Sequence, residues 1–134
     1  MKLRLLLTVA ATFTLAAEAQ AFSAKNGARV NPINGSVFEV IPRTDTSSDA
    51  IWCAASDFSR RAAGAPWNQK IYVVNGRGRS VTTGRRTAVQ FTLNPTAAGV
   101  TPLQGGGLRT GFPVGDSMSV QRANSLCNVI PFFR

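Results

Sequence analysis

Residues 47–66 read SSDAIWCAASDFSRRAAGAP, and this stretch decides the fold class. Thr46 or Ser47 can cap the start of a helix, and Asp49 falls in the first turn, where the helix dipole favours an anion. Arg60 and Arg61 fall in the last turn, where it favours cations. Gly64 then offers a left-handed stop, and Pro66 prevents resumption. Ile51, Ala55, Phe58 and Ala62 share one stripe at helical spacing, so that face belongs to a core. At about 100° per residue, Cys53 points nearly opposite Ile51 and beside Ser56, Arg60 and Ala63.

Working outward, the neighbouring segments alternate with a period of two. In Ser36–Ile41, Phe38 and Val40 fall on one side and Val37, Glu39 and Ile41 on the other, with Phe38 and Val40 the expected core face. Lys70–Asn75 (KIYVVN) and Thr87–Leu93 (TAVQFTL) are β-rich runs. The segment 75–86 between them, NGRGRSVTTGRR, holds three glycines and four arginines. It reads as a long hairpin loop, with Ser80–Thr83 able to extend a strand. Residues 22–36 read as an irregular leader, and 94–115 as loop, with Pro95, Pro102, Pro113 and Gly105–Gly107. Residues 116–128 fit a strand at Met118–Gln121 followed by a short helix, or one helix from Asp116 to Asn128. The expectation is one α+β domain over 37–130, with a tail at 131–134. It would be an antiparallel sheet of three to five strands carrying the main helix on one face.

The N-terminus points to export. Lys2 and Arg4 precede an apolar run from Leu5 to Ala17, and Ala19-Gln20-Ala21 matches a small-x-small cleavage pattern. The run is shorter than the roughly 20 residues of a spanning helix, so residues 1–21 read as a signal peptide and Phe22 as the mature start. The expected location is the periplasm or the medium. Two cysteines in an oxidising compartment predict a Cys53–Cys127 disulfide. If helix and bond both form, the C-terminal segment must cross the side of the helix away from the sheet. No C-x-x-C spacing suggests redox work.

The 134-residue chain carries 15 basic and 6 acidic residues and no histidine. An imidazole base, histidine-ligated metals and histidine-ligated haem are thereby excluded. Without Lys2, Arg4 and Glu18, thirteen cations face five carboxylates, Glu39, Asp45, Asp49, Asp57 and Asp116. No carboxylate pair has the look of an acid–base couple. The expectation is therefore no enzyme, no cofactor and no metal site. Eleven of the thirteen cations are arginines, whose planar forks suit oxyanions.

Arg77, Arg79, Arg85 and Arg86 in the glycine-rich loop are the candidate anion-binding residues. Neither the phosphate-binding loop pattern nor the dinucleotide fingerprint is met there. Trp52 and Tyr72 read as core, and Trp67, after Gly64-Ala65-Pro66, as the exposed aromatic. The Trp52-Cys53 helix, IYVV, TTGRRTAVQFTL and SVQRANSLC together resemble short exported alphaproteobacterial proteins of unassigned function. That resemblance implies a periplasmic or secreted setting and no activity. The expected function is non-catalytic binding of an anionic polysaccharide, a lipid headgroup or an acidic protein. Nucleic acid is not favoured, because no recognition fold accompanies the charge. The alternative is a protein-interaction or inhibitor domain, with the 99–115 loop and the Phe132-Phe133-Arg134 tail as contacts.

Overall fold

A computed structural model describes residues 9–10, 21–104 and 111–128. The candidate signal peptide (residues 1–21) apart from Val9, Ala10 and Ala21 lies outside the described residues. So do Gly105–Gly107, Arg109 and the 131–134 tail.

Helix α1 (Ser48–Arg61) forms where its end signals place it. The Ser47 side chain accepts the Ala50 N–H at 3.1 Å, and Asp45 accepts the Ser47 N–H at 2.9 Å, so the start is fixed twice. Gly64, at φ +67°, turns the chain away after the last turn. Because the helix stops at Arg61, Ala62 is exposed rather than part of the apolar stripe.

Among the described residues, six strands form one antiparallel sheet against α1. They are β1 (Phe22–Ser23), β2 (Arg29–Pro32), β3 (Val37–Ile41), β4 (Lys70–Gly78), β5 (Ala88–Thr92) and β6 (Ser117–Ser119). Their spatial order is β1-β2-β3-β5-β4-β6. The α+β class is as expected, but the strand count exceeds three to five. The extra strands come from residues 22–36, the segment read as irregular. Side-chain turns are the reason. Asn26 Oδ1 accepts the Ala28 N–H, Gly27 adopts φ +84°, and Asn34 Oδ1 accepts the N–H groups of Ser36 and Val37. These turns pin strands of two and four residues, too short to register as alternation.

The core lies between sheet and helix. Phe38 and Val40 face it as predicted, with Val30, Ile71, Val73, Val89 and Phe91. Trp52 of α1 packs on Phe91 at 5.0 Å and on Phe112 at 5.8 Å between ring centroids, and Phe38 meets Phe58 at 4.5 Å. The other side of α1 is covered by α3 (Val120–Ser125) and a single 3-10 turn (Leu126–Asn128). The Cys53–Cys127 disulfide is formed there. The helix is thus buried on both sides, from Ala50 to Asp57. Residues 116–128 adopt the strand-plus-short-helix alternative, although the strand ends at Ser119 and Gln121 is already helical. Among the described residues, no helix is long and apolar enough to cross a membrane.

The segment read as loop over 94–115 contains α2 (Pro95–Ala98), capped by Asn94, and then sends Phe112 into the core. Gly115 fastens its far end. The glycine N–H donates to Val73 O at 2.8 Å, and its carbonyl accepts the Leu103 N–H at 3.0 Å. Its φ is +86°, and a Cβ there would lie 2.2 Å from Thr101 O. Gly115→Ala combines a left-handed penalty with a backbone collision, so a loss of roughly 2–3 kcal/mol is expected. Thermal denaturation should show a midpoint about 10–15 °C lower. An unchanged midpoint would mean that Gly115 is not held against Thr101 and Leu103 as described.

Candidate functional site

The side of the sheet away from α1 is polar, and strand register arranges it in rows. Ser23 pairs with Arg29, and Arg29 with Ile41, giving one row across β1, β2 and β3. The next row runs Asn31, Glu39, Gln90. Glu39 is wholly buried because the 79–86 loop folds over it.

The loop is built around that carboxylate. Ser80 Oγ donates to Glu39 Oε1 at 2.6 Å, the Thr82 N–H to Oε1 at 3.0 Å and the Val81 N–H to Oε2 at 3.1 Å. The Thr82 hydroxyl also donates to Oε1, and itself accepts from Asn31 Nδ2 at 2.8 Å. Ser80 Oγ in turn accepts the Thr83 N–H and hydroxyl, both at 2.9 Å. The loop closes on itself through Ser80 N–H to Arg85 O at 2.7 Å and Gly84 N–H to Ser80 O at 3.0 Å. Ser80–Thr83 is therefore a turn clasping Glu39 rather than a strand extension. Burial works against the charged carboxylate. The bonds from Ser80, Thr82 and Val81 outweigh it and hold Glu39 below the usual carboxylate range.

This clasp brings Arg85 and Thr83 over the Ser23–Arg29–Ile41 row. Arg43, two residues past the end of β3, borders the same space. Together with Gly27 these residues line a cleft of about 200 Å³. Among the described residues, no carboxylate forms an ion pair with Arg29, Arg43 or Arg85. Three cations from three separate segments thus open onto one small space.

The four candidate arginines do not act together. Arg85 alone lines the cleft. Arg77 straps the sheet to the start of α1, donating to Thr46 O at 2.9 Å and Ser48 Oγ at 3.4 Å, with its guanidinium 5.2 Å from the Phe112 ring. Arg79 turns inward to Gly84 O at 3.4 Å. Arg86 is exposed and does not line the cleft. Sequence reasoning missed Arg29 and Arg43. Arg43 lies two residues past the end of β3, beyond Pro42, so strand alternation gave no signal for it. Arg29, beside buried Val30, is put on the polar face of the sheet by the β2–β3 register.

Other charged and aromatic groups are engaged elsewhere. Asp57 is buried, and burial alone would raise its carboxyl. Arg61, at 2.6 and 2.7 Å, and the Lys25 N–H, at 2.8 Å, hold it below its ordinary value instead. Trp67 is exposed as expected, with the Arg60 guanidinium 4.2 Å from its ring centroid. Trp52 is core, but Tyr72 is only half-buried. It pairs with Thr92 and Ser117 on the polar side of the sheet, because its parity in β4 is opposite to that of Ile71 and Val73. Among the described residues, no three His, Cys, Asp or Glu side chains gather as a metal site. No known protein family, curated protein or solved structure matches the chain.

Proposed function

We propose that this protein is an exported, non-catalytic binding domain that takes an anionic envelope or extracellular partner in the Arg29–Arg43–Arg85 cleft. One observation carries the reading. Arg29, Arg43 and Arg85 line one cleft with Ile41, and among the described residues no carboxylate pairs with any of them. Arginine forks left open in this way are suited to carboxylate, phosphate or sulfate oxygens. Export is supported by the basic head, the short apolar run, the Ala19-Gln20-Ala21 pattern and the disulfide. An anionic polysaccharide, a lipid headgroup or an acidic protein would each supply the charge.

The test is binding of the oxidised protein to a panel of such anions across a salt series. Affinity should fall as salt rises, because exposed charges are screened. Arg29→Gln, Arg43→Gln and Arg85→Gln combined should weaken binding by roughly tenfold or more and flatten the salt dependence. Arg77→Gln and Arg79→Gln should change affinity far less. No binding at low salt would sink the reading. It would turn attention to Leu103 and Val114, the exposed apolar residues that flank the Leu103–Gly115 hydrogen bond and favour a protein-interaction domain.

A further inference from the structure

We infer that the group bound in the cleft is a phosphate monoester in its doubly ionised form, carried on a sugar or on a lipid headgroup. The inference rests on the anion-binding reading above. Among the described residues, the ionisable groups lining the cleft are Arg29, Arg43 and Arg85, and the polar side chains beside them, Ser23 and Thr83, can donate hydrogen bonds. Three arginines lining one cleft, with no carboxylate among its described lining residues, repel one another. A carboxylate, a sulfate ester or a phosphodiester brings one negative charge and leaves two cations uncompensated. A phosphate monoester brings up to two charges and three terminal acceptor oxygens. Arginines from β2, from beyond β3 and from the clasped loop are at hand to supply donors to those oxygens. The space of about 200 Å³ is large enough for the phosphate group.

This chemistry has its own pH signature. The second ionisation of a phosphate monoester lies at about pH 6. The chain contains no histidine, so none of its side chains ordinarily titrates there. Glu39, under the loop, is held ionised below that range, and the Lys25 side chain reaches away to Asn124. An α-amino group freed at Phe22 would lose its charge as pH rises, which has the opposite sign. Affinity that rises from pH 5 to pH 7.5 therefore reports the ligand gaining its second charge.

The experiment uses the oxidised full protein with glucose 1-phosphate, glucose 6-sulfate and gluconate between pH 5 and 7.5. Vesicles containing either phosphatidic acid or phosphatidylglycerol complete the set. Glucose 1-phosphate should bind roughly five- to tenfold tighter than the sulfate at pH 7.5, and the advantage should shrink toward pH 5. Phosphatidic acid should capture more protein than phosphatidylglycerol, and a vesicle preference far exceeding the sugar preference would identify a lipid as the carrier. Arg43→Gln should reduce the discrimination. Equal binding of phosphate and sulfate esters, or a preference indifferent to pH, would overturn the inference while leaving an anion site in place. Failure of every anion to bind would overturn both readings.

Discussion

Replacing Glu39 with alanine should lower the thermal midpoint by about 10–20 °C and weaken anion binding as well. Removing the carboxylate leaves the hydroxyls of Ser80 and Thr82 and the N–H groups of Val81 and Thr82 without their acceptor. Bonds to a charged acceptor are worth more than neutral ones, but Val81 and Thr82 are exposed and can turn to water. A net loss of roughly 2–4 kcal/mol is therefore expected rather than the full sum. The loop would lose its anchor and carry Arg85 away from Arg29 and Arg43. Glu39→Gln should fall in between, since the amide keeps one acceptor oxygen and turns a donor toward other donors. A wild-type melting point for Glu39→Ala, with undiminished anion binding, would show that the clasp does not position the loop.

The same carboxylate sets the response to acid. Its folded-state pKa lies below the ordinary value, as does that of Asp57. The stabilisation is then complete above the unfolded carboxylate range, around pH 4, and is lost as pH falls through the folded values. Wild-type stability should drop below about pH 4. Glu39→Ala should lose less over that interval, with Asp57 and Asp45, the latter held low by its bonds from Ser47, supplying what remains.

Reduction of the Cys53–Cys127 bond should have an effect of similar or greater size. The bond closes a loop with a sequence separation of 74, for which chain entropy gives about 4.5 kcal/mol. For a domain of this length that corresponds to a fall of about 20 °C in the melting midpoint. The bond also clamps α3, whose Val120 and Ala123 are fully buried, over the outer side of α1. Melting with and without reductant, alongside Cys53→Ala/Cys127→Ala, measures the effect. A reduced protein that melts within a few degrees of the oxidised one would mean that packing of α3 on α1 suffices without the bond.

The main helix was legible because its signals are local. Ser47, Asp49, the Arg60-Arg61 pair and Gly64 each act within a turn of the helix end they define. The disulfide was legible from a count of two cysteines, and the faces of β3 from alternation. The arginine-lined cleft was not. Charge density along the chain pointed to Arg77, Arg79, Arg85 and Arg86, yet neighbouring residues of a strand or loop point in different directions. Arg77 consequently serves α1, and Arg79 serves its own loop. Arg29 and Arg43 join Arg85 only through the pairing of β1, β2 and β3 and the burial of Glu39 beneath the loop. Pairing register and a carboxylate's need for donors act between residues far apart in the chain. Helix caps, cysteine number and alternation are properties of local sequence, whereas the grouping of three cations around one cleft exists only once the strands have met.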